Sequence, residues 1–245
     1  MSMAVKKSIL AAAAVCAMAA GLVGCSGGGG TELEGSSAKE IANRAAKAMK
    51  ATESMRLTGH IMDDDKKIEI DMSVAKGGKC TGSMTLEGGT AEVISTGDQT
   101  YLKGNEQFWK GQSEGEPGAE MFVQLLKDRW MKQPGGSGEG FDDFCDLDSL
   151  LKDLDEDEVK DATKGELTDV DGRQAIPLVR KEDGETTTMY IANDDDKPYI
   201  LRMQKKGGDD AGVVDFTDHD KKFEVKEPDP ADVVDLNDLE ELGAE

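Results

Sequence analysis

Ile68-Glu69-Ile70-Asp71-Met72-Ser73-Val74 alternates apolar and polar residues without a break. A period of two puts Ile68, Ile70, Met72 and Val74 on one face of a strand and the polar side chains on the other. Upstream, Met55 to Ile61 keeps the same rhythm, and Asp63-Asp64-Asp65 between them reads as a turn. Downstream, Gly77-Gly78, Gly88-Gly89, Gly97-Asp98 and Gly104-Asn105 punctuate further short runs. These are Cys80 to Leu86, Ala91 to Ser95, Thr100 to Lys103 and Gln107 to Lys110. Evenly spaced strands with turn residues between them predict an antiparallel meander, one face buried and the other wet.

Helical spacing appears in three stretches. Ser37-Ala38-Lys39-Glu40 predicts a capping box, and Ile41, Ala45, Ala48 and Met49 form one apolar stripe of a helix ending near Ala51. Pro117 opens a second helical region, in which Met121, Phe122, Leu125, Leu126, Arg129 and Trp130 recur at helical spacing up to Pro134-Gly135-Gly136. A further helix is predicted over roughly Phe141 to Leu154, with Phe144, Leu147, Leu150, Leu151 and Leu154 on one face and Cys145 one position off it.

After the acidic run Asp155 to Asp161 the strands resume. Gly165 to Asp169, Gln174 to Arg180 and Thr186 to Ala192 are joined by Asp171-Gly172 and Asp183-Gly184, both hairpin signals. Tyr199, Leu201 and Met203 alternate, and Val213 to Thr217 and Phe223 to Lys226 close the sheet before Pro228 and Pro230. The fold class predicted is α+β: one long antiparallel sheet of about 11 strands with helices gathered on one face. A sheet that long must curl or split.

The N-terminus carries an address. Lys6 and Lys7 precede an apolar, Ala-rich run from Ile9 to Val23, which ends in Leu22-Val23-Gly24-Cys25. This is the pattern of a secretory signal, and the run is shorter than the ~20 residues of a comfortable membrane span. The Cys after Leu-Val-Gly matches the bacterial lipobox, so residues 1–24 look like a lipoprotein leader and Cys25 like the acylated first residue of the mature chain. The alternative is an ordinary signal peptide with a chance Cys. Residues 25–36, rich in Ser and Gly, are expected to form a flexible tether. The folded domain is expected over 37–236, followed by an acidic tail at 237–245.

The formal charge of −22 disfavours nucleic acid and anionic headgroups as partners. With the leader and the lipid accounting for Cys16 and Cys25, Cys80 and Cys145 remain as a pair in an oxidising compartment. They are expected to be joined, closing a loop of about 64 residues and contributing ~4 kcal/mol in the chain-entropy model. Two separate buried thiols are the alternative.

The lipobox, the capped first helix, the central helical insert and the second-half pattern carry a resemblance. That pattern is Asp171-Gly172-Arg173-Gln174-Ala175, then Met189-Tyr190-Ile191-Ala192, then Pro198-Tyr199-Ile200-Leu201-Arg202. Together they resemble the LolA-like superfamily, in particular the LppX/LprG-type lipoproteins of actinobacteria, over most of Ser37 to Leu236. The resemblance implies an incomplete, strongly curved barrel whose concave face is covered by helices, and a cavity that binds acyl chains in several members. Other members are envelope sensors or have no known ligand. It implies no catalytic residue.

The remaining chemistry is sparse. Asp153, Asp155 and Asp157 fall at the first, third and fifth places of an EF-hand-like loop, but Glu158 stands where Gly is needed and Lys164 where a bidentate Glu is needed. A solvated acidic linker is the better reading, and no metal or cofactor is expected. Among 51 acids, carboxylate pairs are no signal for glycoside cleavage. His60 and His219 are the only histidines, and no nucleophile elbow accompanies them, so no enzyme is expected. A hydrophobic cavity would be lined by Met121, Phe122, Leu125, Trp130, Phe144 and Leu147 from the helical insert, facing Met55, Leu57, Met72, Met84 and Trp109; the alternative is that these side chains fill a closed core. The function expected is that of a monomeric, membrane-anchored extracytoplasmic lipoprotein that holds or shuttles a lipid or lipoglycan. A ligand-free sensor or protein-interaction module is the competing class.

Overall fold

The structure, a computed structural model, describes residues 31–63, 66–114, 117–133, 145–152 and 161–236. Helices α1 (Glu32–Gly35) and α2 (Ala38–Ala51) lead into five strands: β1 (Ser54–Asp63), β2 (Lys66–Ala75), β3 (Lys79–Leu86), β4 (Gly89–Thr96) and β5 (Thr100–Gly104). Then come α3 (Glu106–Gln112), α4 (Ala119–Leu126), β6 (Trp130–Lys132) and α5 (Leu147–Leu151). The second half supplies β7 (Thr163–Lys164), β8 (Thr168–Val170), β9 (Arg173–Glu182), β10 (Glu185–Ala192), β11 (Ile200–Lys206), β12 (Gly212–Thr217) and β13 (Val233–Asp235).

Among the described residues, 13 strands form one large, open, curved sheet, where the sequence predicts about 11. Its order is β13-β6-β5-β4-β3-β2-β1-β12-β11-β10-β9-β7, with β8 also on β9. All pairings are antiparallel except the parallel pair β13–β6. The two halves of the chain meet in the middle, where β1 pairs with β12.

Register lines up the inward side chains in rows. Leu57, Met72, Gly82, Val93, Leu102, Met131 and Val234 stand side by side across β1 to β6 and β13. All of these but Gly82 are buried hydrophobics of the core. Helix α2 packs on β10, β11 and α5. Its Ser37 cap forms as the sequence predicts, Ser37 Oγ accepting from the Glu40 N–H and the Glu40 carboxylate accepting from the Ser37 N–H at 2.9 Å. The stripe Ile41, Ala45 and Met49 is buried.

Two glycines permit the close approach of neighbouring strands. Gly59 has φ +150°, and a Cβ there would land on the carbonyl oxygen of Val213 in β12. A Cβ on Gly82 would meet the Asp71 carbonyl and, at 2.7 Å, the Met72 sulfur. Glycine inside a strand marks such an approach.

Several expectations need correction. Gln107 to Lys110 is helical: the Asn105 side chain accepts from the Phe108 N–H at 2.8 Å and starts α3, and Phe108 and Trp109 are both buried. The helix through Met121 stops at Leu126; Asp128 takes φ 59°, and Trp130 begins a strand. Of Gly165 to Asp169 only Thr168 and Asp169 are extended, in β8; residues 165–167 form no strand, and the short β7 lies just before them. Phe223 to Lys226 forms no strand; the sheet ends on Val233–Asp235, which the sequence assigns to the acidic end of the domain. Residues 31–36 of the expected tether are folded, because Leu33 is 0% exposed and the Asp195 carboxylate accepts from the N–H groups of Glu32 and Leu33. Of the helix expected at Phe141 to Leu154, Leu147–Leu151 is described as α5; Phe144, the acidic run at 153–160, the leader, Cys25 and the tail at 237–245 lie outside the described residues.

The strand approach at Gly59 gives a direct test. Gly59→Ala should destabilise the fold by about 2–4 kcal/mol, combining backbone strain with steric overlap. Gly35→Ala, with open space around it, should change stability by less than about 0.5 kcal/mol. Urea denaturation midpoints compare the two.

Candidate functional site

The inward face of β1, β2, β3, β4, β11 and β12 does not close on itself. Among the described residues it lines a cavity of about 550 Å³. Met55, Leu57 and Ile61 come from β1, Ile70 and Met72 from β2, Met84 from β3 and Val93 from β4. Met203 of β11 and Val214 and Phe216 of β12 complete the wall. Alternation explains the set: Met55, Leu57 and Ile61 are two or four residues apart on one strand. Where Gly59 stands in that series the wall has no side chain, and Gly212, opposite Ile61, also lines the cavity.

One end is closed. Cys145, Leu150 and Leu151 form a floor there. The disulfide Cys80–Cys145, with its Cα atoms 5.0 Å apart, holds α5 against β3, and Asp146 pairs with Ala75 at the end of β2. The joined cysteines expected from the sequence are therefore present.

The other end is polar. Ile61, Gly212, Lys205, Thr187 and Arg180 form one row across β1, β12, β11, β10 and β9. Every member of that row lines the cavity, together with Glu182, Glu185, Gln204 and Asp210. Lys205 bridges Glu185 at 2.7 Å and Asp210 at 2.5 Å, and Arg180 pairs with Glu182. Hydrogen bonds to Asp210 and Glu185 raise the Lys205 pKa, and Lys205 in turn lowers that of Asp210. Glu182 and Asp210 are exposed, so this rim is the mouth.

The structure places the expected lining residues in two groups. Met55, Leu57, Met72 and Met84 line the cavity. Trp109, Phe122, Leu125 and Leu147 belong to the packed core instead. Trp109 meets Phe108 and Phe122 edge-on, with centroids 5.1 and 5.7 Å apart. Met121 is 77% exposed. Trp130 precedes the inward Met131 on β6 and therefore faces outward, with Lys103 Nζ 5.9 Å from its ring centroid. Phase explains what was missed. A register shift at Tyr190/Ile191 turns Leu201 out of the face it was expected to share with Met203. Leu201 then joins Val170, Ala175 and Ala192 in a second, small core, while Met203 enters the cavity.

His219 lies apart from the cavity. Its ring stacks on Tyr199 at 4.2 Å, 2° from parallel, and its Nε2 is buried without a hydrogen-bond partner among the described residues. Burial first, then the charge of Arg173, pushes its pKa down to about 4. A neutral stacked ring is a packing element here. Among the described residues no cluster of three or more His, Cys, Asp or Glu is arranged to hold a metal.

No family model matches the chain, and no curated protein matches it in sequence. Among solved structures, the fold is similar to those of two mycobacterial proteins. LprF from Mycobacterium bovis aligns with a TM-score of 0.54 at 12% identity, over 82% of this chain and 99% of that one. Lipoprotein LppX from Mycobacterium tuberculosis aligns with a TM-score of 0.50 at 13% identity, over 77% of this chain and 98% of that one. The LppX/LprG-type resemblance read from the sequence thus holds at the level of fold.

The buried ring gives a pH prediction. An ordinary histidine titrates near 6.5 and His219 near 4, so between these values the unfolded chain binds the extra proton. Stability is therefore full above about pH 6.5 and falls as the pH drops toward 4. His219→Phe keeps the ring and removes the titration, so the variant should lose about 1–2 kcal/mol less over that interval, after allowance for partial solvent screening. Urea melts at pH 7 and pH 4.5 measure it.

Proposed function

We propose that the chain is an extracytoplasmic lipoprotein, anchored through an acylated Cys25, that holds the hydrocarbon part of a lipid or other amphiphile in the cavity. The observation that carries this reading is the polarity of the cavity along its length: an apolar wall, an apolar floor and a charged rim. The volume lies within the roughly 300–1,000 Å³ of ordinary ligand pockets. The wall runs from Met55 to Ile61 along β1, about 20 Å at the rise of a strand. That exceeds the ~15 Å depth of one leaflet's hydrocarbon, half of the ~30 Å core. An extended acyl chain therefore matches the cavity in length, and its polar head would meet Lys205, Arg180 and their carboxylate partners. Four methionine side chains in the wall, at positions 55, 72, 84 and 203, can adapt to chains of different shape. Burial of apolar chain surface supplies ~25 cal/mol per Å² without any chemistry. The likeness to LprF and lipoprotein LppX supports the fold on which this reading rests.

Protein extracted gently from its own membrane should carry lipid in native mass spectrometry. Met84→Trp, which fills the wall, should lower the lipid-bound fraction at least tenfold while the variant stays folded. Protein that arrives without lipid, or a Met84→Trp variant that keeps its full complement, contradicts cargo binding. The anchor is tested separately. Cys25→Ser should leave the protein unprocessed or release it from the membrane fraction, and unchanged processing and membrane association would refute acylation.

A further inference from the structure

We infer that the anchored protein holds its cavity mouth away from the bilayer to which it is attached; this rests on the acylation of Cys25 proposed above. Two ends of one strand decide it. Thr31 hydrogen-bonds Asn193, and Asp195 accepts from the N–H groups of Glu32 and Leu33 at 3.1 and 2.8 Å. Arg44 of α2 also donates to the Asp195 carbonyl at 2.7 Å, so the start of the domain is fixed at the β10–β11 turn. The rim residue Glu185 begins β10 at the opposite end, where it pairs with Glu182.

The 8 residues of β10 and the step to Asn193 cover about 26 Å. Cys25 is six residues before Thr31, and six residues fully extended reach no more than about 22 Å. A domain turned mouth-down onto the bilayer would have to lift Thr31 farther than that. The sheet therefore stands with its anchored end near the lipid and its rim toward the surrounding compartment. Cargo is then exchanged across the far side of the protein, not drawn directly from the leaflet that holds the anchor.

The test uses the acylated full-length mature protein in phosphatidylcholine vesicles with an energy-transfer acceptor on the headgroups. A donor dye is placed on Lys181→Cys, beside the rim, or on Lys197→Cys, in the β10–β11 turn; both positions are exposed. Transfer should be several-fold stronger from position 197. Equal or stronger transfer from position 181 overturns the orientation. Twenty Gly-Ser residues inserted between Gly30 and Thr31 should bring the two efficiencies together, and a difference that survives the insertion refutes the role given to tether length. Protein that does not float with the vesicles removes the anchor and this orientation with it. Cargo binding, read by native mass spectrometry on the same sample, is unaffected by that outcome.

Discussion

The sheet can wrap because two of its inward positions carry no side chain. At Gly59 the Val213 carbonyl occupies the place of a Cβ, and at Gly82 the Asp71 carbonyl does the same. Both glycines lie near the centre of the sheet, where β1, β2 and β12 come together. Close approach there has two effects at once. It brings the halves of the chain into one continuous sheet, and it leaves bare wall facing the hollow. The cavity is in this sense a product of the same residues that hold the strands together.

The apolar face of the sheet is uniform in character but not in packing. Toward β5 and β6 the row ends in Leu102, Met131 and Val234, and the α3–α4 corner packs Phe108, Trp109, Val123 and Leu126 into the core. A Cβ on Gly104 would overlap Phe108 and come within 2.8 Å of the Trp109 ring, so this corner is filled to contact. Toward β1 and β12, the short α5 contributes Leu150 and Leu151 at one end, and the wall is built from Met, Leu, Ile, Val and Phe around missing side chains. Interiors pack densely wherever side chains can reach one another. A hollow persists where the opposing elements are held apart, and the Cys80–Cys145 bond fixes α5 at one end of it.

Period-two patterning made most of the sheet legible, because each strand from β1 to β5 is separated from the next by a Gly-, Asp- or Asn-bearing turn. The capping box at Ser37 and the Cys80–Cys145 pair were legible for the same reason: each is a local or combinatorial constraint with few alternatives. The site was only half legible. Met55, Leu57, Met72 and Met84 follow from strand phase alone. Leu201 and Met203 do not, since a bulge shifts the phase between them and leaves no mark in composition. Trp109 and Trp130 misled in opposite directions: one entered a helix because Asn105 caps it, the other left a helix because the chain turns at Asp128. The polar rim was missed because its residues belong to hairpin ends, where charged side chains are ordinarily only solvated.

Antiparallel order also ties the site to the attachment of the chain. In such a sheet every connection returns to one of two ends, so a cavity open at one end has its floor among the opposite turns. The β9–β10 and β11–β12 tips, carrying Glu182, Glu185, Lys205 and Asp210, share the open end. The β2–β3 turn and the β10–β11 turn share the other, and there the disulfide and the start of the described chain are both secured. A segment entering at the floor cannot obstruct the mouth. On the anchoring proposed above, it would also be too short to carry the mouth back to its point of attachment. The separation of anchor from opening would then follow from strand polarity alone.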